Sequence, residues 1–264
     1  MNFSSKILTI GASLMVVALP AMSGSVTVLP TNAPRIGAGK PHGGSGSSAS
    51  GWSSSNWSGY ALSSSTNGTY NSISGQWVVP TVQSSHGSSY SSSWIGIDGF
   101  NNSSLIQTGT EQDYSSGSAH YYAWWEILPA SETEISPSQY PVQPGDHMSA
   151  NIQNNGGGKW TITISDSTEN WSFTTTQNYS GPGTSAEWIE EAPTIGGRVA
   201  TLANYGQATF NPGTVNGVNP AFVSSDSGVM IQKRTQVSTP SLPDSDTDGF
   251  NVAYGSKAPT PPAS

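Results

Sequence analysis

Acidic residues, a glutamine and several tryptophans fall on short segments whose alternating pattern is typical of β-strands. Because successive side chains of a strand point to opposite faces, Glu187, Ile189 and Glu191 would share one face. A concave sheet can collect six such residues on one side: Trp94, Asp98, Gln107, Trp124, Glu126 and Glu191. Carboxyl groups placed in this way can transfer protons as general acids and bases. Taken alone, the pattern fits equally well tryptophans that fill a core and carboxylates that face solvent.

Other hydrolytic chemistries lack the residues that they need. The four histidines are scattered and form no metal-binding H-E-x-x-H pattern: His42, His86, His120 and His147. The chain has no cysteine, which excludes thiol nucleophiles and thiolate metal sites. We therefore expect neither a metal nor a cofactor.

Serine and aspartic chemistry are also poorly supported. There is no G-x-S-x-G elbow, and Gly183-Thr184-Ser185 lacks the nearby proline of a subtilisin-like nucleophile segment. Asp226-Ser227-Gly228 resembles an aspartic-peptidase triplet, but that chemistry needs two such triplets and the chain has one.

The elements that would position the acidic residues are short strands separated by Gly, Pro, Asn and Ser. The clearest lie at 74–79, 93–97, 104–108, 120–127, 147–152, 160–165, 171–176, 186–191, 229–233 and 250–254. No window has a helical period. Many short strands with frequent turns predict an all-β fold, either an antiparallel sandwich or a closed barrel.

The N-terminus predicts secretion. Residues 1–23 combine Lys6, an apolar run over 7–21 and small residues at its end, which is typical of a signal peptide. Residues 24–54 are rich in Gly, Ser and Pro and read as a propeptide or linker. We expect one domain at 55–256, a disordered Pro-rich tail at 257–264 and an extracellular protein without a membrane span after the signal.

The charge pattern excludes one class of partner. Charged residues make up 9% of the chain, against about 25% in ordinary soluble domains. All sixteen acids and five of the eight Lys and Arg lie after residue 40, so that part has a net charge of −11. A nucleic-acid partner is therefore not expected. A surface with few ion pairs also loses few stabilising interactions when its carboxylates are protonated in acid.

Five segments occur together in an order and spacing that resemble the glutamic peptidases, or eqolisins, over roughly residues 56–254. They are Asn56-Trp57-Ser58-Gly59, Trp94-Ile95-Gly96-Ile97-Asp98-Gly99, Leu105-Ile106-Gln107-Thr108-Gly109, Ala123-Trp124-Trp125-Glu126 and Ala186-Glu187-Trp188-Ile189-Glu190-Glu191. The chain departs from the fungal members in having no cysteine, and in having Tyr122 where they have an aspartate. These departures indicate a prokaryotic, cysteine-free branch.

The resemblance implies a concanavalin A-like β-sandwich of two bent antiparallel sheets with a concave substrate cleft. It implies that Gln107 and Glu191 are the catalytic pair, with Glu191 and not Glu187 or Glu190 as the catalytic acid. The substrate-binding positions that carry over are Trp57, Trp94, Asp98, Gly109, Trp124 and Glu126. The implied activity is a secreted, acid-active endopeptidase, made as a zymogen whose propeptide is 24–54.

The implied mechanism uses a water activated by Glu191 and an oxyanion stabilised by Gln107. Two alternatives use the same sandwich: a glycoside hydrolase with two carboxylates, or a carbohydrate-binding module. We expect protein or peptide substrates, no nucleic-acid partner, no membrane association after removal of the signal, and a monomer.

Overall fold

The computed structural model describes residues 51–264 and the backbone of residues 28–29. The predicted signal peptide and most of the predicted propeptide lie outside the described residues. Within them, the chain forms strands and one short 3-10 helix at Ser224–Asp226. The strands are β1 (Val28–Leu29), β2 (Trp52–Ser54), β3 (Trp57–Ser63), β4 (Ser72–Val78), β5 (Ser92–Ile97), β6 (Ile106–Ser115), β7 (Ser118–Ile127), β8 (Thr133–Glu134), β9 (His147–Gly156), β10 (Lys159–Asp166), β11 (Trp171–Asn178), β12 (Ser185–Glu191), β13 (Thr194–Ile195), β14 (Arg198–Val199), β15 (Gln207–Val215), β16 (Ser227–Gln232), β17 (Thr235–Pro240) and β18 (Phe250–Tyr254).

The strands follow one hydrogen-bonded path that bends into two layers. The order is β11-β10-β9-β4-β15-β18-β17-β16-β3-β12-β5-β6-β7-β8, and β1, β13 and β14 form a small separate sheet. Neighbours on the path are antiparallel, whereas β2 lies parallel to β16 beside it. The path ends in two edges, β11 and β8, so the described strands form a sandwich and not a closed barrel. The predicted all-β sandwich is confirmed.

The two layers face each other across one hydrophobic core. Strands β4, β9, β10 and β15 of one layer contact β5, β6 and β12 of the other without pairing with them. Trp77 and Phe210 from the first layer and Trp188 from the second are among the largest side chains of this core. Such burial of apolar surface is the main favourable contribution to folding.

The outer face of the first layer is covered by paired hydroxyl groups. On β10 the buried residues Trp160, Ile162 and Ile164 alternate with hydroxyl-bearing residues, as a half-buried strand requires. Each of those hydroxyls meets a hydroxyl directly opposite on β11 at 2.8–3.1 Å. We call this feature the hydroxyl ladder; its pairs are Thr161–Thr176, Thr163–Thr174 and Ser165–Ser172.

The second layer is buried on both faces, and this layer positions the candidate site. Strands β5 and β12 are buried along their whole length. One face of the layer joins the core between the sheets. The other face carries a separate cluster of buried aromatic and aliphatic side chains, among them Trp57, Trp94 and Trp124. We call the face that carries this separate cluster the site face.

The ten predicted strand segments all overlap strands of the structure, and three long strands were missed: β3, β15 and β17. Residues 257–264 have no regular secondary structure, but Asn251 Nδ2 and Asn211 Nδ2 donate hydrogen bonds to the carbonyls of Thr260 and Ala263. These contacts join the tail to β15 and β18, and the disorder expected for it stays a prediction. No helix among residues 51–264 is long and apolar enough to cross a membrane.

Candidate active site

Five neighbouring strands bring the candidate residues to one face. Strand β12 lies between β3 and β5, and β6 lies between β5 and β7. The register places Glu191 opposite Trp57 on β3 and opposite Ser92 on β5. Gln107 lies opposite Glu126 on β7. Alternation along each strand then directs these side chains to the site face.

Glu191 is buried in the centre of this face, with 1% of its surface exposed. Trp94 Nε1 donates a hydrogen bond to Glu191 Oε2 at 2.8 Å, and Asn56 Nδ2 donates to Oε1 at 3.3 Å. Burial raises the pKa of the Glu191 carboxyl well above its usual value, and the charge of Glu126 raises this pKa further. The two hydrogen bonds act in the opposite direction because they favour the ionised form.

Gln107 is fully buried and is joined to Glu126. Its amide Nε2 donates a short hydrogen bond to Glu126 Oε2, across the β6–β7 pair. Since the Glu126 charge also acts on the pKa of Glu191, Glu126 is the residue that connects the two members of the predicted catalytic pair. The structure therefore brings Gln107, Glu126 and Glu191 together.

Tryptophans surround these polar groups. The rings of Trp57 and Trp94 meet edge to face, with centroids 4.9 Å apart. Trp124 Nε1 donates a hydrogen bond to Ser92 Oγ at 3.1 Å. Gly109 lies against Trp94, and a Cβ atom added there would come within 2.5 Å of Trp94 Cβ. Trp57, Trp94, Gly109 and Trp124 thus belong to the site face as predicted from alternation and resemblance.

Asp98 is placed differently. It follows the last residue of β5 with φ of 71°, a left-handed conformation that is uncommon outside glycine. Its carboxylate accepts hydrogen bonds from Tyr179 Oη at 2.7 Å, and from the backbone N–H groups of Gly183 and Thr184 at 2.8 Å each. The structure gives Asp98 the role of fastening the loop before β12, and shows no contact between it and Glu191.

The other two acids of the β12 segment are also buried. Glu190 points to the core between the sheets, where its Oε2 accepts a hydrogen bond from Ser93 Oγ at 2.6 Å. Glu187 lies on the site face, two alternations away from Glu191, and neither of its carboxylate oxygens has a hydrogen-bond partner. Burial raises the pKa of both carboxyls well above the usual value.

Tyr122 lies next to further acids. It is opposite Glu111 on β6, and burial followed by the charges of Glu111 and Glu132 raises its pKa. Burial also raises the pKa of Glu111, and it raises the pKa of Asp113 to about 7. By the resemblance, the fungal members have an aspartate at this position. Here it carries a neutral phenol beside buried carboxyls whose pKa is raised.

Sequence reasoning missed three residues of this environment: Asn56, Ser92 and Glu111. Asn56 stands in the Asn56-Trp57-Ser58-Gly59 segment, but nothing local shows that its amide reaches Glu191, which is 135 residues away. Glu111 has the same parity as Gln107 and Gly109 on β6. Alternation would have identified it had the predicted strand not been ended at residue 108.

No set of three acids with converging ligand atoms occurs among the described residues of this face, and His120, which shares the parity of Tyr122 on β7, is exposed and contacts Ser115 and Ser118. The one such set found in the described part of the chain is on the β17–β18 connection. The arrangement on the site face is suited to proton transfer by a buried carboxyl beside an amide donor.

Comparison with known proteins identifies the family of the chain. A sequence profile described as the peptidase A4 family matches residues 55–254. Aspergillopepsin-2 of Aspergillus niger is 26% identical over 185 residues, which cover 61% of this chain and 65% of that relative, a little under two thirds of its length.

Two solved structures share the fold. Scytalido-glutamic peptidase with a transition state analog inhibitor superposes with a TM-score of 0.63 at 20% identity, over 76% of this chain and 98% of that chain. Aspergilloglutamic peptidase from Aspergillus niger gives a TM-score of 0.55 at 27% identity, over 63% of this chain and 99% of that chain.

Proposed function

The chain belongs to the peptidase A4 family, the glutamic peptidases, and on that premise we propose that it is a secreted, acid-active endopeptidase. Its substrates are proteins or peptides, and Glu191 and Gln107 carry out the reaction. The observation that carries this assignment is a buried Glu191 whose pKa is raised by burial and by Glu126, the residue that also binds the Gln107 amide.

The first step is the attack of water on the scissile carbonyl carbon. Glu191 as a carboxylate takes one proton from the water while the new C–O bond forms. The carbonyl oxygen becomes an oxyanion, and an N–H of Gln107 Nε2 donates a hydrogen bond to it. The hydrogen bond from Gln107 to Glu126 supports this role because it fixes the orientation of the amide.

The second step is the departure of the amine. Protonated Glu191 returns its proton to the nitrogen as the C–N bond breaks, which leaves a carboxylic acid and an amine as products. Glu191 must therefore lose a proton in one step and supply it in the next. A group that does both works best when its pKa is near the working pH. The raised pKa thus favours Glu191 as the acid, while the hydrogen bonds from Trp94 and Asn56 preserve access to the base form.

Secretion and activation as a zymogen belong to the same proposal. The signal at 1–23 supports export. Within the predicted propeptide, the backbone of Val28–Leu29 pairs antiparallel with Thr194–Ile195, three residues beyond Glu191. This pairing supports a propeptide that lies beside the catalytic strand, from which it must be released before a substrate can bind.

The test is hydrolysis of a denatured protein by the processed enzyme from about pH 2 to pH 7, a range that spans the usual glutamate pKa and values above it. Wild type, Glu191→Gln and Gln107→Ala are compared with Glu169→Gln, a control that changes an exposed acid on the β10–β11 turn. We expect activity that resists pepstatin and EDTA, is abolished in Glu191→Gln, and falls about 10²–10³-fold in kcat when the oxyanion donor is removed.

Full activity in a folded Glu191→Gln variant would refute the assignment and move attention to Glu187, the other acid of that strand on the site face. Hydrolysis of polysaccharide without proteolysis would support the glycosidase alternative, to which the neighbouring carboxyls Glu126 and Glu191 are chemically suited. The family match does not favour that alternative.

A further inference from the structure

The connection between β17 and β18 contains three aspartates in alternate positions followed by a glycine. The segment reads Asp244-Ser245-Asp246-Thr247-Asp248-Gly249. This order matches the first half of a calcium-binding loop, in which positions one, three and five supply oxygen ligands and a glycine at position six allows a sharp turn. The site face has no part in this segment.

The three carboxylates converge. One oxygen from each of Asp244, Asp246 and Asp248 lies within 4.8 Å of the others. Side chains of like charge avoid such an arrangement unless something compensates them, and within residues 51–264 no Lys, Arg or His forms an ion pair with any of the three.

An independent observation comes from Asp244, which is 95% buried. Its Oδ1 accepts hydrogen bonds from the backbone N–H groups of Asp248 at 3.2 Å and Gly249 at 3.1 Å. Its Oδ2 is buried and has no hydrogen-bond partner, and Asp248 Oδ1 is in the same condition. A buried carboxylate oxygen without a partner is costly, and a bound cation would remove that cost.

Gly249 is needed for this geometry. A Cβ atom added there would come within 2.5 Å of Asp244 Oδ2. Any larger residue would therefore displace that oxygen, and it would also meet the Asn211 side chain, whose Cγ lies 2.5 Å from the same point. The glycine keeps that oxygen in place.

We propose that Asp244, Asp246 and Asp248 bind a calcium ion that stabilises the fold, at a site separate from the catalytic face. Calcium is favoured over magnesium because it accepts irregular sets of oxygen ligands, whereas magnesium demands a near-ideal octahedron. Position twelve of the loop is Gly255 and not the usual bidentate glutamate, so we expect a weak site with a Kd of about 10⁻⁴–10⁻³ M, as in extracellular modules.

The ion would hold together three parts of the chain. The carbonyl of Asp248 accepts a hydrogen bond from Gly213 N on β15 at 2.8 Å, and that of Thr247 accepts one from Phe222 N at 2.9 Å. Asn219 Nδ2 donates to the carbonyl of Asp246 at 2.6 Å. Because β18 follows at once, a cation in this loop stabilises the place where the path of strands passes from one layer to the other.

The test is calorimetric titration of the purified chain with CaCl2, and separately with MgCl2, at pH 7, together with thermal unfolding at each concentration. We expect saturable binding of one calcium ion and a Tm that rises with calcium and levels off. The Asp246 side chain is exposed, and the hydrogen bonds that Asp246 accepts go to its backbone carbonyl, so Asp246→Asn should fold. Its calcium affinity should fall about tenfold or more, because one carboxylate ligand is lost. Glu169→Gln should bind calcium as the wild type does.

Absence of saturable calcium binding in the wild type would overturn the proposal. An equal rise of Tm in wild type and Asp246→Asn would do so as well, since it would show a general salt effect. Both measurements are independent of proteolysis, so failure of the proposed function would leave this result unaffected.

Discussion

At the scale of single residues, the proposed mechanism requires Glu191 to act as both base and acid, and its neighbours determine how readily it could do so. Burial and the charge of Glu126 favour the protonated carboxyl, whereas Trp94 and Asn56 favour the carboxylate. Since only the carboxylate can activate water, kcat/KM should have a rising limb where Glu191 of the free enzyme loses its proton. An acid-active enzyme also needs a fall at higher pH, which we expect from the loss of stability as the other buried carboxyls ionise.

Replacing Glu126 by glutamine removes a neighbouring negative charge at almost constant volume. The pKa of Glu191 should fall, because its carboxylate no longer meets that repulsion. We expect the rising limb of the kcat/KM profile to move to lower pH, as measured with one peptide substrate over the whole range. The control is Glu134→Gln, which neutralises an exposed acid on β8 and should leave the limb in place. An unchanged limb in Glu126→Gln would contradict this account.

Alternation along β12 was sufficient to predict which of its other two acids shares a face with Glu191. Glu187 lies on the site face and Glu190 on the core face, as a period of two requires. The contact between Asn56 and Glu191 was beyond such reasoning, because it depends on β3 pairing with β12. Asp98 was expected on the same side of the sheet as Glu191 and in the substrate cleft; that role stays a prediction, and its carboxylate contacts the loop at Gly183 and Thr184.

At the scale of elements, the site depends on how closely β5 and β6 approach. Gly109 lies opposite Trp94 in this pair, and a Cβ atom there would come within 2.4 Å of the Ser93 carbonyl oxygen. Trp94 in turn binds Glu191 through Nε1. A change in strand packing at Gly109 therefore acts on the Glu191 carboxyl through the indole ring.

Gly109→Ala should lower the free energy of unfolding by about 1–3 kcal/mol, the usual range for overpacking a buried position. It should also reduce proteolysis, because Trp94 must shift. Urea denaturation and a peptide assay measure the two effects. Gly87→Ala provides the comparison, since nothing lies within 4 Å of a Cβ atom at that glycine and neither quantity should change. Wild-type stability in Gly109→Ala would show that the pair has more room than the structure indicates.

The missed strands have physical explanations. β15 contains Pro212 and Gly213, where its register with β4 shifts, so its sequence lacks a continuous alternation. β6 continues to Ser115 through Glu111, Gln112 and Asp113, which are polar on both faces yet buried. Polar residues at successive positions normally indicate the end of a strand. Here the strand continues, because its acids lie on the site face and its other polar groups make hydrogen bonds in the core.

At the scale of the whole molecule, the chain holds several buried carboxyls whose pKa in the folded state lies above the ordinary value. Glu187 and Glu190 are raised well above it, and Asp113 is raised to about 7. Between the unfolded and folded pKa values the native state holds more protons than the unfolded state. Stability must therefore fall as pH rises through this window.

We expect the free energy of unfolding, measured in urea, to be larger near pH 4 than near pH 7, since ordinary Asp and Glu residues titrate at about 3.9 and 4.3 when unfolded. Glu190→Gln keeps the size of the side chain and removes its charge, so the loss between those pH values should be smaller in this variant. Glu169→Gln should follow the wild-type curve. Greater stability at pH 7 than at pH 4 would show that these carboxyls do not hold their protons through burial in the folded state.

The hydroxyl ladder across β10 and β11 has a consequence for the environments that the protein tolerates. Cross-strand pairs of threonine and serine carry no charge, so dissolved ions do not screen them and protons do not titrate them. The pairing of β10 with β11 should accordingly be equally strong in dilute buffer and in concentrated salt. A sheet surface built from such pairs would suit the proposed secretion, since an extracellular medium has an ionic strength that the cell does not control.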